Sequence, residues 1–162
     1  MNNKKVIHPL EPIYDKHTKV LILGSFPSVI SRKQNFYYAN PTNRFWKVLE
    51  NVYEDVIDDK KDFCLRHSIG LWDVIHSCVI EGSSDSSIRD VKYNDIDSIV
   101  KKCPIQLIVT TGSKASSLYR KQFNLDVKHL SLPSTSSANA RMSLNELIQE
   151  YKAIRNYTDE KD

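Results

Sequence analysis

Val20-Leu21-Ile22-Leu23-Gly24-Ser25-Phe26-Pro27-Ser28 is an apolar run that opens into a loop of small and kinked residues. The run lacks polar alternation and is bounded by glycine and proline. That is the pattern of a central strand buried on both faces of a parallel sheet. Further along stands Tyr37-Tyr38-Ala39-Asn40-Pro41-Thr42-Asn43-Arg44-Phe45-Trp46, which leads into the helical spacing of Phe45, Trp46, Leu49, Val52 and Tyr53. The whole reads as strand, pocket loop, helix. Because ligands bind at the carboxyl edge of open α/β sheets, function is expected in the loop that follows this strand.

Outward from this unit, short apolar runs at 20–24, 71–75, 105–110 and 127–132 alternate with helical patterns. The alternation predicts an α/β fold, three layers α/β/α, with a short and mainly parallel central sheet of about four strands. Ile96, Ile99, Val100 and Cys103 keep helical spacing up to Pro104. Ala115, Leu118, Tyr119 and Phe123 keep it after Gly112, with Ser113 as the expected N-cap. Ser143 and Glu146 form a capping box ahead of a last helix. The 162 residues suit one domain over 1–162, with flexible ends at 1–16 and 157–162.

The net charge of +3 is too mild to identify a nucleic-acid binder by itself. Cys64, Cys78 and Cys103 are odd in number and widely spaced, which suits neither a disulfide framework nor a metal site. The five histidines likewise lack ligand spacing. No metal is expected. There is no apolar run of the roughly 18 residues that a membrane span requires, so a cytoplasmic, nucleoid-associated protein is expected.

Four segments, in order, resemble the uracil-DNA glycosylase superfamily over about residues 18 to 155. Gly24-Ser25-Phe26-Pro27-Ser28 looks like its first motif. Asn40-Pro41-Thr42-Asn43-Arg44-Phe45-Trp46 is similar to a run shared by mismatch-specific uracil glycosylases and the hypoxanthine-DNA glycosylase branch. Gly70 to Ile75 with Gly82 to Ile88, and then Leu132-Pro133-Ser134-Thr135-Ser136-Ser137-Ala138-Asn139, look like the middle and last motifs of the hypoxanthine branch. The resemblance implies a monofunctional DNA glycosylase without metal or organic cofactor, acting as a monomer. Its implied partner is duplex DNA carrying hypoxanthine, with uracil next; single-stranded DNA is also open.

Such an enzyme must extract a nucleotide, hold its base, and assist cleavage of the C1′–N bond. The resemblance puts Gly24, Ser25, Phe26, Pro27, Tyr37, Tyr38 and Asn40 in the base pocket, with Tyr38 as stacking platform. Phe26 departs from the family, because the mismatch-specific enzymes carry a water-positioning asparagine there. The resemblance therefore moves catalysis to Asn43, whose amide offers a donor for the base and an acceptor for water. Asn43 is equally suited to cap the helix that follows it.

Asp73, near the end of a strand, could accept from a purine N–H, orient water, or pair with a basic side chain. DNA contacts are expected from Ser28, Lys114, Ser134, Thr135, Ser136, Ser137, Asn139 and Arg141. Two alternatives stay open on the residues alone: a binding module that recognises damage without cleaving, motivated by Phe26, and an enzyme acting on free nucleosides or nucleotides.

Overall fold

The second strand of the chain, β2 (Val20–Gly24), is buried along its whole length. It lies between two parallel neighbours, β3 (Ile69–Asp73) and β6 (Leu107–Thr111). With β7 (Lys128–Leu132) beside β6, the sheet runs β3-β2-β6-β7, all parallel. This computed structural model describes residues 4–159.

The absence of alternation in β2 has a direct cause: both of its faces are covered. Val20 and Ile22 enter one core with Val48 and Leu49 of α2 (Phe45–Tyr53) and Leu147 and Tyr151 of α6 (Leu144–Tyr151). Leu21 and Leu23 enter the other with Ile96 and Ile99 of α4 (Ile96–Lys102) and Ala115 and Tyr119 of α5 (Ser113–Gln122). Each of the valine, leucine and isoleucine side chains among these contributes about 1.5–3 kcal/mol on full burial. The three-layer α/β/α expectation is met. The capping box is formed as read, with Ser143 Oγ accepting from the Glu146 N–H and Glu146 accepting in return.

A second sheet was not foreseen. β1 (Lys5–Ile7), β4 (Ile75–Val79) and β5 (Arg89–Tyr93) pair antiparallel in the order β1-β4-β5. The expected strand over 71–75 is in fact the junction between two strands, broken at Val74. There the Val74 N–H donates to the Gly24 carbonyl at 2.8 Å, and the Ile75 N–H to that of Ser25 at 3.1 Å. The amide of buried Asn94 holds the junction, donating to the carbonyls of Asp73 and Ile75 at 2.8 and 3.1 Å.

Of the expected flexible end at 1–16, residues 1–3 lie outside the described residues, and the rest is corrected by its pairing with the two sheets. The His8 N–H donates to the His76 carbonyl at 2.7 Å, Leu10 and Ile13 are buried, and Ile13 bridges to Leu71. At the other end, Thr158 is buried against Tyr53, within a short helix at Arg155–Thr158. Flexibility therefore fails for the start of 157–162, while 160–162 lie outside the described residues. The start of α5 is also corrected: Gly112, at φ 88°, occupies the cap position instead of Ser113, a left-handed conformation that glycine adopts without a Cβ penalty.

Candidate active site

Where β2, β3 and β6 end, a cavity of about 180 Å³ opens. It is smaller than the roughly 300–1,000 Å³ of drug-sized ligand pockets, a scale that suits one flat heterocycle. The last residues of the three strands, Gly24, Asp73 and Thr111, line it. The loops add Ser25, Phe26, Pro27, Ser28, Tyr37, Tyr38, Asn40 and Asn43, and the loop after β7 adds Ser134, Ser136 and Ser137.

Asn43 is oriented by two donors on one oxygen. Its Oδ1 accepts from the Phe45 N–H at 2.9 Å and from Thr135 Oγ1 at 2.8 Å. The first bond caps the start of α2, although Arg44 holds the formal cap position and supplies no side-chain cap. With both oxygen lone pairs used, the amide NH₂ of Asn43 has no protein partner among the described residues. The expectation that this amide serves both as donor and as water acceptor is thus half corrected: only the donor is available.

Arg44 builds the surrounding loop. Its guanidinium donates to the carbonyls of Thr135, Ser136, Asn139 and Met142. It therefore ties the loop after β7 to the start of α2.

Tyr37 and Tyr38 divide their tasks. Tyr37 is buried, and its hydroxyl donates to the Glu11 carbonyl at 2.8 Å. Tyr38 lies over Phe45 with ring centroids 3.8 Å apart and an interplanar angle of 12°. One face of its ring is therefore covered, and the side chain lines the cavity with its hydroxyl 3.4 Å from Thr111 Oγ1. Its φ is 51°, unusual for a bulky residue and costing on the order of 1–3 kcal/mol. Burial holds the Tyr38 hydroxyl protonated well above the ordinary range, and the Asp73 charge adds to this. Phe26 packs in a separate cluster with Ile75, Cys78, Ile80 and Ile88, with its ring edge-on to His8 at 5.9 Å.

Asp73 is buried at the floor, and its partner is His8, whose Nε2 lies 2.7 Å from Oδ2. This pair was missed. The sequence reading placed His8 in a flexible end and offered Asp73 an arginine or lysine. The only local signal was the β-branched pair Val6-Ile7 ahead of His8. Asp73 Oδ1 accepts no hydrogen bond among the described residues, yet it is not sealed off as a buried unpaired atom; it opens to the cavity. A Cβ added at Gly24 would stand 2.5 Å from this oxygen and 3.3 Å from Tyr38 Oη. Glycine there is what lets carboxylate and tyrosine approach the strand.

Beside the cavity runs a wider groove of about 670 Å³, lined by the turn at Ser83–Ser86, the start of α5 and the loop after β7. The two spaces share Ser83, Asp85, Ser134 and Ser136. Ser25 Oγ donates to Asp85 Oδ1 at 2.8 Å. Desolvation raises the Asp85 pKa, against the Ser25 bond and the charge of Lys114, while Asp73 adds to the rise.

The expected DNA contacts separate into two sets. Ser134, Ser136 and Asn139 line the groove, Ser137 lies at the cavity mouth within 3.2 Å of Thr42 Oγ1, and Arg141 is exposed. Lys114 is half-buried near Asp85. Ser28 instead caps α1 (Val29–Gln34), with Oγ accepting from the Ser31 N–H at 3.1 Å. Thr135 is buried, only 1% exposed, and serves Asn43 instead of a phosphate. Asn40 makes an Asx turn, its Oδ1 accepting from the Thr42 N–H and hydroxyl.

All three cysteines are buried free thiols, and burial pushes Cys64 up to about 12. Among the described residues, no three His, Cys, Asp or Glu side chains are grouped to hold a metal ion, and no helix is long and apolar enough to cross a membrane.

Residues 11–156 match the sequence model of the uracil DNA glycosylase superfamily. A hypoxanthine DNA glycosylase from Methanosarcina acetivorans is 39% identical over 149 residues, covering 88% of this chain and 93% of that protein. A second hypoxanthine DNA glycosylase, from Methanosarcina barkeri, is 31% identical over 136 residues, covering 80% of this chain and 86% of that protein. The solution NMR structure of a candidate uracil DNA glycosylase from M. acetivorans superposes with a TM-score of 0.74 at 32% identity, covering 93% of this chain and 99% of that one. Matched along nearly its whole length by that family model and covered to four fifths or more by two relatives above 30% identity, the chain belongs to the uracil DNA glycosylase superfamily.

Proposed function

We propose that this superfamily member is a monofunctional DNA glycosylase that extracts a deaminated base, hypoxanthine first and uracil second, from duplex DNA and leaves an abasic site. One observation carries the reading. In a cavity the size of a base, an uncommitted amide donor on Asn43 and an uncommitted carboxylate oxygen on Asp73 face the same space, with Tyr38 in its wall. The relatives named for hypoxanthine support the choice of base.

The geometry supports the following roles. Tyr38 offers its uncovered face to the base, a contact of ~1–3 kcal/mol. The Asn43 NH₂ donates to a carbonyl or ring nitrogen of the base, which gains negative charge as the bond breaks. Asp73 Oδ1 aligns the attacking water. The water oxygen bonds to C1′, the glycosidic electron pair leaves with the base nitrogen, the water's proton passes to Asp73, and a proton from solvent neutralises the base.

Phe26 then forms apolar wall, and its lack of a polar group is offset by Asp73. The groove continuous with the cavity supports a polymer substrate over a free nucleoside, with the backbone running past Ser134, Ser136, Asn139 and Arg141. Action as a monomer on the nucleoid, in the cytoplasm, is part of the proposal.

The test is a panel of labelled duplexes carrying hypoxanthine, uracil, xanthine or mismatched thymine, treated with alkali after incubation. Strand breaks at hypoxanthine, and fewer at uracil, are expected. Lesion binding with no breaks would favour a recognition module. Cleavage of free inosine but of no duplex would favour a nucleoside enzyme.

A further inference from the structure

We propose that His8 is a positioning residue for the reaction, holding the Asp73 carboxylate so that one oxygen alone faces the base cavity. The proposal rests on the function argued above and adds to it the residue that directly follows the amino-terminal strand.

The two side chains are 65 positions apart in the chain and almost sealed from solvent, at 2% and 6% exposure. A buried carboxylate is costly unless it is paired. A core that needed only stability would be served better by two apolar residues. The pair stands where a strand end, Gly24 and Tyr38 converge on the cavity.

Oδ2 is occupied by His8 Nε2–H, and Oδ1 has no hydrogen-bond partner among the described residues. Rotation of the carboxylate about its Cβ–Cγ bond would exchange the two oxygens, and the bond from His8 opposes it. The far side of the ring is anchored too: Nδ1 lies 3.3 Å from the Leu10 N–H and 3.1 Å from the Leu10 carbonyl. A bare Nδ1 accepts from that N–H, and a protonated one donates to that carbonyl, so the ring keeps its place in either form. The His8 N–H is fixed to the His76 carbonyl of β4, and Phe26 packs edge-on to the imidazole. The small second sheet thus acts as a bracket that delivers one imidazole to the floor of the site.

The test is single-turnover release of hypoxanthine from duplex DNA, with duplex affinity and melting temperature measured for each protein. Four single variants are used: His8→Phe, His8→Asn, His8→Gln and Asp73→Asn, together with the double variant His8→Phe/Asp73→Asn. Glutamine can place an amide donor near the Nε2 position. Asparagine reaches only the Nδ1 position, keeping a polar group for Leu10 but none for Asp73. His8→Phe and His8→Asn should slow release at least tenfold at saturating enzyme, with duplex affinity within about threefold of wild type. His8→Gln should restore the rate to within a few-fold. The double variant should be no slower than Asp73→Asn alone.

If His8→Phe fails to fold, the contrast between asparagine and glutamine decides alone. Wild-type rates in His8→Asn, equal loss in asparagine and glutamine variants, or a double variant slower by the product of the single effects would each overturn the proposal. Failure of the wild-type protein to release any base would instead overturn the parent reading, and this one with it.

Discussion

Thr135 Oγ1 donates to Asn43 Oδ1 at 2.8 Å, and that bond decides which end of the amide meets a substrate. Because the Phe45 N–H takes the other lone pair, the NH₂ is the end left free. Thr135→Val keeps the shape of the side chain and removes the donor. A neutral hydrogen bond contributes about 0.5–1.5 kcal/mol, so single-turnover base release should fall roughly 2- to 12-fold. Thr135→Ser should stay near the wild-type rate. Equal rates for the valine and serine variants would show that Asn43 is oriented without Thr135.

Gly24→Ala tests the close pass between β2 and Asp73. Its Cβ would stand 2.5 Å from Asp73 Oδ1, so the carboxylate must move. Base release should drop by one to two orders of magnitude, about 1.4–2.7 kcal/mol of barrier, with duplex affinity nearly unchanged. Full activity in a folded Gly24→Ala protein would remove Asp73 from the chemistry.

Tyr38→Ala should weaken lesion binding about 5- to 150-fold, as expected for loss of a ~1–3 kcal/mol stacking contact. It will also lower the melting temperature by exposing Phe45, against which the ring is stacked. Tyr38→Phe keeps the ring and should keep the affinity. If affinity per folded molecule is unchanged in the alanine variant, Tyr38 is a cover for Phe45 and not a platform.

Much of the fold is legible in local sequence, because the relevant forces are local or periodic. The uninterrupted run at Val20–Leu23 states burial on both faces, and Ser143 with Glu146 states a helix start. Asp73 could be named from its place at a strand end and Tyr38 and Asn43 from the motif loop ahead of a helix, and all three line the cavity. His8 was not, since its meaning lies in a partner 65 residues away. Thr135 and Ser28 look like phosphate contacts in composition, but a hydroxyl beside a helix start is claimed first by an unpaired backbone or amide group. The second sheet was hidden because its first strand, Lys5–Ile7, is only three residues long.

His129 should make stability depend on pH. Burial lowers its pKa from the usual 6.5, and the Arg120 charge adds to this; its Nε2 lies 2.8 Å from Thr110 Oγ1. Near pH 6 the unfolded chain therefore binds more protons at this residue than the folded one. Its contribution is present above about 6.5 and is lost as pH falls toward the lowered folded value. Between pH 7.5 and 5.5, the melting temperature of the wild-type protein should fall further than that of His129→Gln. Parallel curves for the two proteins would rule this contribution out.

The most direct measurement of the central claim is single-turnover release of hypoxanthine by wild-type protein and Asn43→Asp. Aspartate keeps the oxygen that accepts from Phe45 and Thr135, so the helix cap and the loop should survive. What it loses is the NH₂ that faces the cavity. The wild-type protein should release the base, and the variant should fold, bind the duplex and react about 30- to 1,000-fold more slowly, the equivalent of ~2–4 kcal/mol of lost transition-state stabilisation. Release by Asn43→Asp within a few-fold of wild type would contradict the account.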